Sequence, residues 1–181
     1  GNYAKLKQDP GYGATMTSTV TYLKQADIFY QLTSTQLELI ANICREVAYS
    51  AGQIIFEENS SSKELYVIAH GEVDILVNPS MISGRTTTRI PEKVVITTLK
   101  RGQSFGEVAL VDEGLRSATT RAAVKDTHLL VIPRDKLILL CETYPQLGFR
   151  LMYNLAADLA MKMRNTDMKI REKADNHTQS S

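Results

Sequence analysis

Residues 102–123 read GQSFGEVALVDEGLRSATTRAA, and the fold turns on how this stretch is understood. It combines glycines at Gly102, Gly106 and Gly114 with an apolar run broken by one acid, Glu107, and sets Arg116 before the small residues Ser117 and Ala118. The segment SFGEVAL is suited to a single helical turn starting near Phe105 or Gly106. A helix start exposes backbone N–H groups and the positive end of a dipole, which favours a phosphate. Gly106 lets a ligand approach the backbone, and Arg116 offers two parallel charge-assisted hydrogen bonds to phosphate oxygens. Glu107 would repel a phosphate, but it suits a sugar hydroxyl if Arg116 balances its charge. The alternative reading of the same residues is a plain Glu107–Arg116 salt bridge flanked by turn-making glycines.

Outward from this stretch, the pattern is helix, then many short strands, then helix. Thr17 to Phe29 reads as one or two helical turns or a short helix. In LTSTQLELIANICREV, Leu32, Leu37, Ile40, Cys44 and Val47 recur at helical spacing, which predicts a firmer helix over 34–45 capped by Thr33 or Ser34. From Ala48 the runs become short and β-branched. Strands are expected at Tyr66–Ile68 and Val73–Val77, joined by a turn at Gly71, then over 93–106, 117–124 and 127–132. Residues 78–92 look like a long exposed loop, with Arg85 and Arg89 solvated. RDKLILLCETYP fits a short helix and 147–173 a long one with no proline. Strands at this spacing suggest a barrel or sandwich.

FGEVAL followed by RSATTRA resembles the phosphate-binding cassette of cyclic-nucleotide-binding domains, in the branch of the catabolite activator or cAMP receptor proteins. GQIIFEENSSSKELYVIAHGEVDIL, KRGQSFGE and LLVIPRDKLILLCETYP resemble the same family's flanking strands and helix. The resemblance implies an α+β fold: a jelly-roll-like antiparallel β-barrel with N-terminal helices and a long C-terminal helix. It divides the chain into a polar arm (1–16), the nucleotide-binding barrel with its flanking helices (17–146), a dimerisation or lid helix (147–173) and a polar tail (174–181). It implies that Glu107 receives a ribose 2′-OH and Arg116 the cyclic phosphate. Ser117 would add a phosphate contact, with Phe105, Gly106, Val108, Ala109 and Ala118 lining the pocket.

Two departures stand out, ENSSS where the family carries a glycine after the acid, and Leu115 where it often has Pro. Neither is expected to touch Glu107 or Arg116. The RSA spelling is closer to the bacterial activators than to the RAA of kinase regulatory subunits, which favours cAMP over cGMP; Ser117 alone does not decide it.

On the long helix, Leu147, Leu151, Leu155 and Leu159 form one stripe, and Arg150, Asn154, Asp158 and Lys162 a narrow polar one. A helix apolar on most sides needs two partners, so a homodimer through Leu151, Leu155 and Leu159 is expected. Signalling is expected to pass through movement of this helix about a hinge near 132–139. No helix-turn-helix reader is expected after it. A degenerate scaffold, or the sensor half of a transcription regulator, is the alternative.

Composition limits other classes. A net charge of +1 gives no bulk attraction to nucleic acid or acidic membranes. No run approaches the ~18 apolar residues of a membrane span. His70, His128 and His177 lack metal-ligand spacing, and no nucleophile elbow occurs, so an enzyme is not expected. Cys44 and Cys141 lie in apolar stretches and read as buried free thiols, fitting a reducing cytoplasm.

Overall fold

Thr33 sets the entry to the first core helix through a reciprocal cap. Its Oγ1 accepts from the Gln36 N–H at 3.2 Å, while its own N–H donates to Gln36 Oε1 at 2.9 Å. In the computed structural model, which describes residues 16–79 and 92–178, this helix is α2 (Ser34–Ala41), after α1 (Met16–Gln25) and a 3₁₀ turn at Asp27–Phe29. α2 stops short of the expected 45 because the chain enters β1 (Arg45–Tyr49), whose backbone pairs with a strand near residue 130. Cys44 and Val47 kept helical spacing with Leu37 and Ile40, but strand pairing overrides that period.

The remaining elements are β2 (Ile54–Phe56), β3 (Glu64–His70), β4 (Glu72–Val77), β5 (Val94–Lys100), β6 (Ser104–Phe105), a 3₁₀ turn at Glu107–Leu110, β7 (Thr119–Ala122) and β8 (Thr127–Pro133), then α3 (Arg134–Thr143) and α4 (Pro145–Thr178). α4 continues through the first part of the expected tail. The expected arm to residue 15, and most of the 78–92 loop, lie outside the described residues.

The strands form two antiparallel four-stranded sheets, ordered β1-β8-β3-β6 and β2-β7-β4-β5. The jelly-roll-like α+β architecture therefore holds, as two facing sheets with helices at both ends. β3 and β4 do not pair with each other; Gly71 is a corner at which the chain passes from one sheet to the other. Its φ of 86° is left-handed, and a Cβ there would meet Thr127 Oγ1 at 2.5 Å.

β3 is buried along nearly its whole length because both of its faces are covered. Leu65, Val67 and Ala69 join Leu130 and Ile132 under the helices, while Tyr66 and Ile68 join Phe56, Val73, Phe105, Leu129 and Val131 between the sheets. That explains why the segment reads as an unbroken apolar run. The thiol of Cys44, pointed at the Ile40 carbonyl oxygen (3.2 Å), is pushed up to about 12 by burial, and burial also raises Cys141. Both cysteines are free and half-buried.

Leu147, Leu151 and Leu155 of α4 are buried against the chain's own helical core, and Leu159 packs on its margin. They are therefore not an open dimer stripe. One member of the polar stripe faces inward: buried Asn154 donates from Nδ2 to the carbonyl oxygens of Ile28 (3.0 Å) and Tyr30 (2.7 Å). Asn154→Ala leaves both carbonyls without this donor and is expected to cost about 2 kcal/mol, a fall in Tm of roughly 4–8 °C by calorimetry.

Candidate functional site

A cavity of about 290 Å³ opens between the inner face of the second sheet and the loop 104–118. Ile75, Thr97, Leu99 and Thr120 supply the sheet wall. All eight residues expected at the site, Phe105, Gly106, Glu107, Val108, Ala109, Arg116, Ser117 and Ala118, line it. Local geometry explains the arrangement. β6 ends at Phe105, Gly106 turns the chain with φ 76°, and the 3₁₀ turn follows at once. Asp112 Oδ1 accepts from the Gly114 N–H at 2.9 Å and closes the next bend. Arg134 at the start of α3 donates from Nε to the Ala109 carbonyl at 2.8 Å, fixing the turn to the helical layer.

Arg116 is only 6% exposed. Its Nε donates to Ser62 Oγ at 2.9 Å, Nη1 to the Gly106 carbonyl at 3.1 Å and Nη2 to the Glu64 carbonyl at 2.6 Å. The guanidinium lies over the Phe56 ring, 4.2 Å from its centroid. A guanidinium has five N–H donors. Three are used here, leaving one on each Nη. Among the described residues Arg116 makes no ion pair. Burial pulls its pKa below the usual arginine range, against the opposing influence of Tyr66, Glu64 and Glu107.

Three expectations change at this point. The ENSSS turn does touch the arginine: besides Ser62, the Asn59 N–H donates to the Arg116 carbonyl (2.8 Å) and the Arg116 N–H to the Ser60 carbonyl (2.9 Å). The Ser62 hydroxyl supplies one of the three acceptors of the guanidinium, a contact that the sequence difference hid. The backbone of Gly106 is approached by protein groups, since a Cβ would stand 2.9 Å from both Arg116 Nη1 and the Glu64 carbonyl oxygen.

The third change concerns Glu107, which is 7% exposed and is paired with Lys162 rather than Arg116. Lys162 Nζ donates to Glu107 Oε1 at 2.7 Å and ion-pairs with Asp158 Oδ2 at 2.8 Å. Burial pulls the ammonium down, but Asp158 and Glu107 outweigh it and raise the Lys162 pKa above its ordinary value. Lys162 lines the cavity and was missed by sequence reasoning. The signal for it was the four-residue spacing of Arg150, Asn154, Asp158 and Lys162 on an otherwise apolar helix.

Among the described residues no cluster of His, Cys, Asp and Glu could hold a metal ion, and no helix is long and apolar enough to cross a membrane.

The chain is 30% identical over 148 residues to the cyclic AMP receptor protein of Thermus thermophilus, covering 82% of this chain and 62% of that protein. It is 27% identical over 118 residues to isozyme 1 of the cGMP-dependent protein kinase of Drosophila melanogaster, covering 65% of this chain and 14% of the kinase. The chain therefore spans less than two thirds of the length of these relatives. The crystal structure of Thermus thermophilus catabolite activator protein superposes with a TM-score of 0.65 at 29% identity, over 81% of this chain and 62% of that one. The profile of the cyclic nucleotide-binding domain matches residues 46–144, from β1 through α3 and across the whole cavity-forming loop. With the family's domain matched over more than half of the chain and a solved relative superposing at a TM-score of 0.65, this chain belongs to the cyclic nucleotide-binding domain family.

Proposed function

We propose that the cavity binds a purine 3′,5′-cyclic mononucleotide, cAMP in preference to cGMP, and that the domain acts as a non-catalytic regulatory sensor whose occupancy is transmitted through α4. One observation carries this reading: Arg116 is a buried cation at the cavity wall, served only by neutral acceptors, with one N–H on each Nη not taken up by them. A buried charge is costly unless compensated, and a cyclic phosphate compensates it bidentately. Glu107 takes the ribose 2′-OH, Ser117 and Ala118 flank the phosphate, and Phe105, Gly106, Val108 and Ala109 complete the wall. The RSA spelling and a relative named as a cyclic AMP receptor favour cAMP. Two free thiols suit a reducing, cytoplasmic setting.

Calorimetric titration with cAMP, cGMP and a cyclic dinucleotide tests the reading. Saturable binding of a cyclic mononucleotide, tightest for cAMP, is expected. Absence of heat and of thermal shift with all three, up to high micromolar ligand, would leave a scaffold role in its place.

Self-association uses a different stripe of α4 from the leucines. Phe149, Tyr153, Ala156, Ala160 and Met163 are exposed and alternate four- and three-residue spacings, the period of a helix–helix seam. The occupant proposed is the same helix of a second copy. Tyr153→Glu, 59% exposed in the single chain, is expected to shift a dimer to monomer in sedimentation velocity without lowering the monomer's helicity.

A further inference from the structure

Lys162 joins parts of the chain that the cassette motif does not connect. Its ammonium sits between Glu107 of the cavity-forming loop (2.7 Å) and Asp158 of its own helix (2.8 Å). Asp158, one turn earlier, holds the side chain in place; an acid N-terminal to a lysine at this spacing is the favourable order. Beyond Lys162 the described side chains of α4 are exposed. The lysine is thus an outlying attachment of the helix to the domain, and it is made to the carboxylate at the cavity wall.

The geometry points to Lys162 as the residue that couples occupancy of the cavity to docking of α4, and so as a determinant of ligand affinity. The inference rests on the nucleotide reading above. Arg116 and Lys162 balance Glu107 and Asp158 in charge. A cyclic phosphate on Arg116 adds negative charge to the cassette side of the ammonium. The ribose 2′-OH donates to the carboxylate that Lys162 already grips, and a carboxylate has acceptor capacity for both partners. Ligand therefore strengthens the hold on the helix. By linkage, a docked helix tightens the ligand by the same factor, in the usual range of about 5–150-fold.

The test compares wild type, Lys162→Met and Lys162→Arg, each titrated with cAMP and followed by hydrogen exchange of α4 with and without it. Lys162 is half-exposed, so the methionine variant is expected to fold. It should bind cAMP ~10-fold more weakly and lose the nucleotide-induced slowing of exchange over residues 158–169. Lys162→Arg keeps the charge and should remain within about threefold of wild type, with the slowing intact. Asp158→Asn, which loosens the lysine but leaves Glu107 its partner, should move in the same direction by a smaller factor. Wild-type or tighter affinity in Lys162→Met, or retained slowing of exchange, overturns the coupling alone. Failure of the wild type to bind any cyclic mononucleotide overturns the reading of the site and the coupling with it.

Discussion

Arg116→Lys is expected to weaken cyclic-nucleotide binding by at least ~100-fold while leaving the protein folded. The substitution keeps a positive charge but removes the planar fork. In the native protein that fork serves Ser62, Gly106 and Glu64 and still has one N–H on each Nη. A lysine ammonium has three donors; if it satisfies the buried acceptors, none remains for a phosphate. It also cannot lie flat on Phe56, where the guanidinium sits 4.2 Å from the ring centroid.

Arg116→Ala abolishes binding too, but it is a poorer probe. It strips the donor from two carbonyl oxygens and a hydroxyl and opens a void over the Phe56 ring. The expected cost is about 3 kcal/mol. Titration calorimetry paired with thermal unfolding separates the two variants. Lysine should lose affinity with little change in Tm, and alanine should lose both.

The second large effect is expected from Gly106→Ala. A left-handed φ of 76° costs a non-glycine residue about 1–2 kcal/mol. The new Cβ would also stand 2.9 Å from Arg116 Nη1 and from the Glu64 carbonyl oxygen. That carbonyl belongs to β3, whose backbone is paired on both sides, so the guanidinium has to yield. Stability is expected to fall by about 2–4 kcal/mol and cyclic-nucleotide affinity by at least ~10-fold as the fork tilts. Denaturant unfolding monitors the first effect and calorimetry the second. Unchanged stability would mean that residue 106 does not need the left-handed conformation.

The cassette segment was legible from sequence because its constraints are local. A glycine at a left-handed turn, an acid opening a 3₁₀ turn and an arginine after a short loop keep fixed offsets, so the residues expected to line the cavity do so. What was not legible depends on distant partners. Glu107 and Arg116 are near in sequence, so they looked like each other's counter-ions. The fold instead gives the arginine neutral acceptors from residues 62, 64 and 106, and gives the acid a lysine from the far helix. The leucine stripe of α4 was found correctly but assigned to a second subunit, because a sequence does not reveal which apolar stripe its own core takes. Asn154 and Lys162, which looked like the wet edge, turn inward to bind Ile28, Tyr30 and Glu107. The over-long α2 has a simpler cause: three- and four-residue spacings of apolar side chains continue into β1, whose conformation is set by its pairing with β8.

The position of β8 bears on the order in which this chain becomes structured during synthesis. It is the strand to which both β1 and β3 bond, and Glu46 reaches His128 across a separation of 82 residues. The first sheet therefore cannot close until residues 127–133 have left the ribosome; until then β1 has no strand partner and β3 keeps one edge open. Such non-local pairing makes folding slow compared with helical domains of similar size. The waiting strands are the segments through which a nascent or truncated chain would aggregate. A chain cut before residue 127 should be insoluble, whereas one ending after α3 keeps every strand of both sheets.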